Sequence, residues 1–121
     1  MLKIIACDDD VTFLDKLHRM IDRWSTETGT AVDVALVTRG EALLARHAAS
    51  RADIILLDMI MPLVNGMDTA RELRQADTAV RLVFLTSSPE FALESYEVRA
   101  FDYLLKPVTY ERLAQLLDEL S

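Results

Sequence analysis

The stretch Ile54-Ile55-Leu56-Leu57-Asp58 is the most apolar strand-like run in this sequence, and it ends on a carboxylate. Four aliphatic residues without polar alternation are typical of a strand buried on both faces, as in a parallel sheet that helices cover. A carboxylate directly after such a strand is energetically costly unless the strand end requires it. The run therefore predicts a central parallel strand and marks Asp58 as a candidate functional residue.

Four more apolar runs of strand length accompany this one. Together the predicted strands cover residues 2–7, 32–37, 54–57, 82–85 and 103–105. Most of them are rich in Ile, Leu and Val, so we expect one parallel sheet with helices on both faces.

Segments with helical spacing separate these runs. The first and the last segment each carry one apolar stripe, formed by Phe13, Leu14, Leu17, Met20, Ile21 and Trp24 in the first and by Leu113, Leu116, Leu117 and Leu120 in the last. Weaker patterns predict helices over residues 41–47, 67–75 and 90–98. Five strands alternating with five helices predict a doubly wound (βα)5 α/β fold, flavodoxin-like, with strand order 2-1-3-4-5.

Composition restricts the class of protein further. The chain has 121 residues, of which 51% are apolar, and a formal net charge of −7. This length fits a single domain over residues 1–121, and the apolar fraction argues against disorder. The acidic balance disfavours direct contact with nucleic acid, and no run approaches the ~18 apolar residues that a membrane helix needs. Strand-like sequence follows Met1 at once and Cys7 is the one cysteine, so we expect no signal peptide, no internal disulfide and a cytoplasmic location.

Reactive side chains follow four of the five predicted strands. Ligands of doubly wound sheets bind beyond the carboxyl ends of the strands, which makes these positions informative. The residues found there are Asp8, Asp9 and Asp10 after the first strand, Asp58 after the third, Thr86 after the fourth and Lys106 after the fifth. We interpret Asp10 as the N-cap of the first helix and the others as members of one site.

The predicted strand order places the first and third strands side by side, so Asp8, Asp9 and Asp58 should converge. Two carboxylates ~4 Å apart repel by ~4 kcal/mol at an effective dielectric constant of ~20, so the cluster needs a cation. Oxygen ligands without a nearby His or Cys favour Mg²⁺ or Mn²⁺. Carboxylates, a divalent ion, Lys106 and the Thr86 hydroxyl suit the handling of a phosphoryl group, with Asp58 as its acceptor.

These residues resemble those of the response-regulator receiver domains of two-component signalling, over essentially the whole chain. The resemblance rests on the Asp8-Asp9 pair, on Asp58 in LLDMIMPLVNG, on Thr86 after FL, and on Lys106-Pro107 in YLLKP. The stretch SPEFALESYEVRAFDYLLKP is similar to receivers that precede a LytTR-type DNA-binding domain. The resemblance implies a receiver that stands alone or one cut from a transcription regulator, and we expect the latter.

The resemblance also implies a metal site and a phosphorylation reaction. Asp9 and Asp58 would bind Mg²⁺ directly, together with the backbone carbonyl of Ile60, and Asp8 would act through water. Asp58 would receive a phosphoryl group from a sensor histidine kinase. Apolar Ile60 and short Ser88 would flank the path of the attacking water, so we expect slow dephosphorylation. The protein would be a signalling receiver that catalyses its own phosphoryl transfer, not an enzyme with steady turnover.

A switch is implied as well. Lys106 would pair with the phosphoryl oxygens, Thr86 would move to hydrogen-bond them, and Tyr103 would turn inward with it. The Lys106-Pro107 bond would be cis. The surface formed by the 90–98 helix, the last strand and the last helix would then be re-packed for a partner or for a second copy of the chain.

Two other functions compete with this one. Residues 8–12 also fit the D-x-D-x-T signature of haloacid-dehalogenase-type phosphatases, in which Asp8 would be the nucleophile. Such enzymes need a further acidic pair beyond another strand, few residues follow Lys106, and Asp58 would have no role. A pseudo-receiver, an interaction module of the same fold, would lack part of the acidic, Thr and Lys set, and this chain has all of it.

Four further side chains are given structural interpretations. We expect Tyr96 and Phe101 to pack in the core, although both could instead contact a partner. We place His18 and His47 at surface positions of their helices, away from any acidic cluster.

Overall fold

Strands and helices alternate along the chain in the computed structural model, which describes residues 1–59, 66–87 and 94–121. The strands are β1 (Leu2–Cys7), β2 (Val32–Val37), β3 (Ile54–Asp58), β4 (Arg81–Thr86) and β5 (Asp102–Leu105). The described residues contain four α-helices and one 3₁₀ helix: α1 (Val11–Thr28), α2 (Gly40–Ala49), α3 (Gly66–Ala76), α4 (Tyr110–Leu120) and the 3₁₀ helix Glu94–Val98.

The five strands form one parallel sheet in the order β2-β1-β3-β4-β5, which confirms the predicted topology. Its register brings strand ends together. Cys7 lies opposite Leu57, so the residues that follow, Asp8 and Asp58, are neighbours. On the other side of β3, Asp58 itself lies opposite Leu85.

Two apolar layers cover the sheet. One face packs against α1 and α4, and its fully buried side chains include Leu17, Trp24 and Leu116. The other face packs against α2 and α3 and includes Leu43 and Leu73. Within the described part of the chain, no helix is both long enough and apolar enough to cross a membrane.

Side chains fix the starts of the first and last helices. Asp10 accepts a hydrogen bond from the Phe13 N–H and caps α1, as predicted. Thr109 caps α4 by accepting from the Arg112 N–H. Helix α1 ends at Gly29, whose φ of 72° is in the left-handed region that glycine adopts without strain.

The predicted helix over residues 90–98 is helical in its described part but differs from an α-helix there. Residues 90–93 lie outside the described residues, and Glu94–Val98 is a 3₁₀ helix rather than an α-helix. This helix buries Val98, and Tyr96, two-thirds of a turn away, is 80% exposed. Phe101, which directly precedes β5 at the edge of the sheet, is 41% exposed. Neither aromatic side chain belongs to the core, contrary to the expectation.

The placement of His47 at the surface is also wrong. Its side chain is buried between α2 and α3, where Nδ1 accepts from the Ala52 N–H at 3.0 Å. The proton of the neutral ring is therefore on Nε2, which donates to Asp77 Oδ2 at 2.8 Å. Asp77 Oδ1 in turn accepts from the N–H groups of Ala79 and Val80. This pair ties α2 to the turn that leads into β4.

The His47–Asp77 pair predicts a specific pH dependence of stability. The His47 hydrogen bond, helped by the Ala79 N–H, lowers the pKa of Asp77 from 3.8 to about 2. Because the pKa is lower in the folded protein, this contribution is present above pH 3.8 and disappears as the pH falls towards 2. We expect Asp77→Asn to cost about 1–3 kcal/mol at pH 7 and to flatten the acid limb of the unfolding free energy, measured by urea titration. An acid limb that Asp77→Asn leaves unchanged would contradict this account.

Candidate functional site

Three carboxylates meet at the carboxyl end of the sheet. One oxygen from each of Asp8, Asp9 and Asp58 lies within 4.8 Å of the others. Asp8 has no exposed surface and Asp58 is only 5% exposed, whereas Asp9 is exposed to solvent. The β1–β3 register sets this arrangement, because Asp8 directly follows β1 and Asp58 is the last residue of β3.

Lys106 places its ammonium group among these carboxylates. Its Nζ donates to Asp8 Oδ2 at 2.7 Å and lies 3.6 Å from Asp58 Oδ1. The backbone fixes the position of the residue, since the Lys106 N–H donates to the Thr86 carbonyl just beyond the β4–β5 pairing. The Lys106-Pro107 bond is cis, as predicted.

The Asp8 carboxylate is held on both oxygens. Oδ1 accepts from the Asp10 N–H at 2.9 Å, and Oδ2 accepts from Lys106 Nζ. Asp10 uses its own carboxylate to cap α1, so the first acidic residue and the helix start form one hydrogen-bonded turn. These contacts stabilise Asp8 as a buried anion and leave its oxygens poorly placed to attack a substrate.

The charges of the site do not balance among the residues that the structure describes. Three carboxylates face one ammonium group, and two like charges ~4 Å apart cost ~4 kcal/mol at an effective dielectric constant of ~20. Burial, together with the smaller effects of the charges on Asp8, Asp58 and Asp9, raises the pKa of the Cys7 thiol to about 12. Cys7 is therefore a protonated, buried thiol at neutral pH. The oxygen-only donor set and the surplus of negative charge suit a hard divalent cation.

A close backbone contact explains the glycine of the LLDMIMPLVNG stretch. The Gly66 N–H donates to the Met59 carbonyl at 2.9 Å where α3 begins. A Cβ on Gly66 would lie 2.2 Å from the Asp58 carbonyl oxygen, which is too close for any side chain. Only glycine lets α3 start directly against the end of β3.

Thr86 and Tyr103 lie on the face of the sheet that α2 and α3 cover. Thr86 is the buried last residue of β4, and its side chain is on the same face as that of Phe84, two residues earlier. Tyr103 lies opposite Phe84 in the β4–β5 pairing and packs, half-buried, against the α2–α3 layer. Both predicted switch residues therefore lie next to the apolar layer between the sheet and α2 and α3. Ile60 and Ser88, to which the sequence assigned a metal-binding carbonyl and a role beside the water path, lie outside the described residues.

One further side chain reaches the site without having been predicted to do so. The Phe13 ring lies with its centroid 4.4 Å from Lys106 Nζ. The sequence placed Phe13 only in the apolar stripe of α1, because its pairing with a lysine far along the chain depends on tertiary packing. Its position three residues after the Asp10 cap is the one local feature that indicates a place near the strand ends.

Comparison with known proteins gives a match over residues 4–118 to the family described as the response regulator receiver domain. The chain belongs to this receiver family. Two curated relatives are similar over nearly the whole chain. The positive alginate biosynthesis regulatory protein of Pseudomonas aeruginosa is 32% identical over 99% of this chain and 47% of its own length. The sensory transduction protein LytT of Bacillus cereus is 31% identical over 97% and 46%.

A solved receiver-like structure agrees with the fold. The chemotaxis protein CheY4 of Vibrio cholerae is 27% identical, covers 100% of this chain and 99% of its own, and superposes with a TM-score of 0.79. The receiver described here spans about half the length of the curated relatives named above.

The Asp8–Lys106 pair predicts a stability effect that depends on metal. Lys106→Met should cost about 3 kcal/mol of unfolding free energy without divalent ions, because it leaves the buried Asp8 carboxylate without its cation. Added Mg²⁺ should bind more tightly than in the parent and recover part of the loss. Lys16→Met, on the exposed face of α1, is the matched control and should change stability by less than about 0.5 kcal/mol. Equal losses in the two variants, measured by urea unfolding, would contradict the role given to Lys106.

Proposed function

We propose that this receiver takes a phosphoryl group from the phosphohistidine of a sensor histidine kinase onto Asp58, in a reaction that needs a divalent cation. One observation carries the proposal: Lys106 Nζ lies between Asp8 and Asp58 where three carboxylates meet. Phosphoryl transfer needs charge neutralisation and positioning more than covalent help, and this arrangement offers both.

The donor set of the site fits Mg²⁺. Asp9 and Asp58 would hold the ion directly and Asp8 through water, with the Ile60 carbonyl as a further ligand. Bound Mg²⁺ would neutralise charge on the transferring phosphoryl group. The exposure of Asp9 leaves the ion an entry from solvent, whereas buried Asp8 is already engaged by Lys106. Mn²⁺ satisfies the same oxygen ligands.

Asp58 is the acceptor that the contacts favour. An Asp58 oxygen would form the new bond to phosphorus while the bond from phosphorus to the histidine nitrogen breaks, which gives an acyl phosphate. Lys106 Nζ, 3.6 Å from Asp58 Oδ1, is close enough to turn towards the phosphoryl oxygens. Asp8, the nucleophile that the phosphatase alternative requires, has both oxygens engaged, which disfavours that alternative.

The phosphorylated state would be transmitted through Thr86 and Tyr103. The Thr86 hydroxyl would donate a hydrogen bond to the phosphoryl group only in the phosphorylated protein. This bond would shift Thr86 and Tyr103 towards the conformation that they adopt after phosphorylation. Their shared face of the sheet supports this coupling. The surface that would respond carries exposed Tyr96, Phe101 and Leu105, which a partner or a second phosphorylated copy could cover.

The output would be control of transcription in the cytoplasm. A DNA-binding domain of the LytTR type, joined after the receiver, would contact DNA, and the acidic receiver itself would not. The name of the alginate relative, which is a regulatory protein, and the greater length of both curated relatives support this proposal. Self-dephosphorylation would be slow, as suits such an output.

Phosphorylation of Asp58 is tested by mass spectrometry after treatment with acetyl phosphate and Mg²⁺. The parent should gain one phosphoryl group, and Asp58→Asn should gain none. Asp15→Asn, an exposed α1 variant, should label like the parent. Labelling of Asp58→Asn at the parent level would overturn the proposed acceptor, and loss in Asp8→Asn alone would favour the phosphatase alternative.

The metal site predicts a gain in stability on adding Mg²⁺. At ~100 times its dissociation constant, the ion should add ~2.7 kcal/mol to the unfolding free energy. Asp9→Ala should abolish this gain and should raise the metal-free melting temperature, because it removes a repelling charge from the cluster. Asp15→Ala should keep the full gain. A parent melting temperature that is independent of Mg²⁺ would contradict the shared site.

The proposed switch predicts that phosphorylation of Asp58 can be separated from the conformational response at Tyr103. Thr86→Ala should still accept the phosphoryl group but should lose the NMR chemical-shift changes around Tyr103 that the parent shows on phosphorylation. Thr86→Ser, which keeps the hydroxyl, should restore most of them. The full shift pattern in Thr86→Ala would show that coupling runs through other residues.

A further inference from the structure

We infer that Phe13 is a positioning residue for Lys106: its ring face holds the ammonium group in line with Asp58 during phosphoryl transfer. This inference rests on the proposed function and assigns one more residue to the same site. The observation behind it is the distance of 4.4 Å between Lys106 Nζ and the ring centroid, well within the range of a cation–π contact.

The ring is held in place from two sides. The Phe13 N–H donates to Asp10 Oδ1 at 3.1 Å, which fixes this residue in the capped first turn of α1. Its side chain is half-buried and packs against the apolar layer between the sheet and α1 and α4. The ammonium group therefore meets a ring with little freedom to move away, and Lys106 is itself only 24% exposed.

Among residues 1–59, 66–87 and 94–121, three groups contact Lys106 Nζ, and they respond differently to a metal ion. Asp8 Oδ2 at 2.7 Å is the strongest partner, and Asp58 Oδ1 lies 3.6 Å away. A divalent cation bound among the carboxylates repels the ammonium group and weakens the attraction that both acids exert on it. The face of Phe13 carries no net charge and makes no bond to the metal, so its attraction persists when the metal is bound.

Without the ring, the metal-loaded site would hold the lysine side chain less firmly. Lys106 has a flexible four-carbon stem, and its head group would turn towards solvent once Asp8 and Asp58 are shared with a divalent ion. An aliphatic side chain at position 13 would fill the space but would not attract the charge. The electrostatic property of the ring, not its volume, is the part that the reaction would use.

Variants of Phe13 separate the electrostatic attraction of the ring from its volume. Phe13→Leu keeps an apolar side chain that packs against the same layer, and Phe13→Tyr keeps the ring face. At saturating Mg²⁺, the rate of phosphorylation by acetyl phosphate should fall about fivefold in Phe13→Leu, and Phe13→Tyr should stay within twofold of the parent. The dissociation constant for Mg²⁺, measured by calorimetry, should change by less than twofold in both variants. A graded series of fluorinated phenylalanines at position 13, similar in shape to the native residue, should lower the rate stepwise as the ring face becomes less negative.

A spectroscopic measurement tests the contact without any phosphorylation. The chain has three lysines, at positions 3, 16 and 106, and a ring at this distance should shift the side-chain proton resonances of Lys106 upfield with Mg²⁺ present. Phe13→Leu should remove this shift, and Phe13→Tyr should keep it.

The outcomes distinguish this inference from the function on which it rests. A parent that takes no phosphoryl group would overturn the proposed function, and the Lys106 resonances would still decide whether Phe13 holds the ammonium group. A Phe13→Leu variant that reacts as fast as the parent would overturn the positioning role. Equal slowing in Phe13→Leu and Phe13→Tyr, or a flat fluorination series, would overturn it too, because the ring face would then not be the cause.

Discussion

Lys106 donates to the carboxylate of Asp8, which has no exposed surface, and this ion pair is the contact that the rest of the site depends on. A buried anion is tolerated only when its charge is paired and its oxygens are hydrogen-bonded, and both conditions are met here by Lys106 and the Asp10 N–H. The pair joins the end of β1 to the residue after β5. Through it, Lys106 is held at the carboxyl end of the sheet, 3.6 Å from Asp58 Oδ1 and beside the cluster that Asp8 and Asp58 form with exposed Asp9.

The fold was predictable because the strands of a doubly wound sheet are its most apolar segments. The apolar run over residues 54–57 has no polar face, which predicts a central strand, and the alternation of strands and helices predicts the order β2-β1-β3-β4-β5. The convergence of Asp8, Asp9 and Asp58 was predictable for the same reason, since strand order decides which strand ends are neighbours. The sequence predicts the position of a residue well when that position depends on the strand order alone.

Contacts between side chains that are distant in sequence were not predictable. The weak amphipathic pattern around His47 predicts a surface position, but the ring is buried and hydrogen-bonded through both nitrogens, to Asp77 and to the Ala52 N–H. Tyr96 was assigned to the core by residue type, and the tighter turn of the 3₁₀ helix exposes it. The Phe13–Lys106 contact joins two ends of the chain, and no local pattern contains it.

The proposed function requires the acidic edge of the sheet to bind one divalent cation between Asp9 and Asp58, beside the Asp8–Lys106 pair. The most direct measurement is an anomalous difference map from crystals of this receiver soaked in Mn²⁺. The anomalous scattering of Mn²⁺ distinguishes the ion from an ordered water molecule. We predict one peak ~2.0–2.3 Å from carboxylate oxygens of Asp9 and Asp58, with Lys106 Nζ still within hydrogen-bond distance of Asp8. No peak at full Mn²⁺ saturation, or a peak away from both carboxylates, would contradict the account.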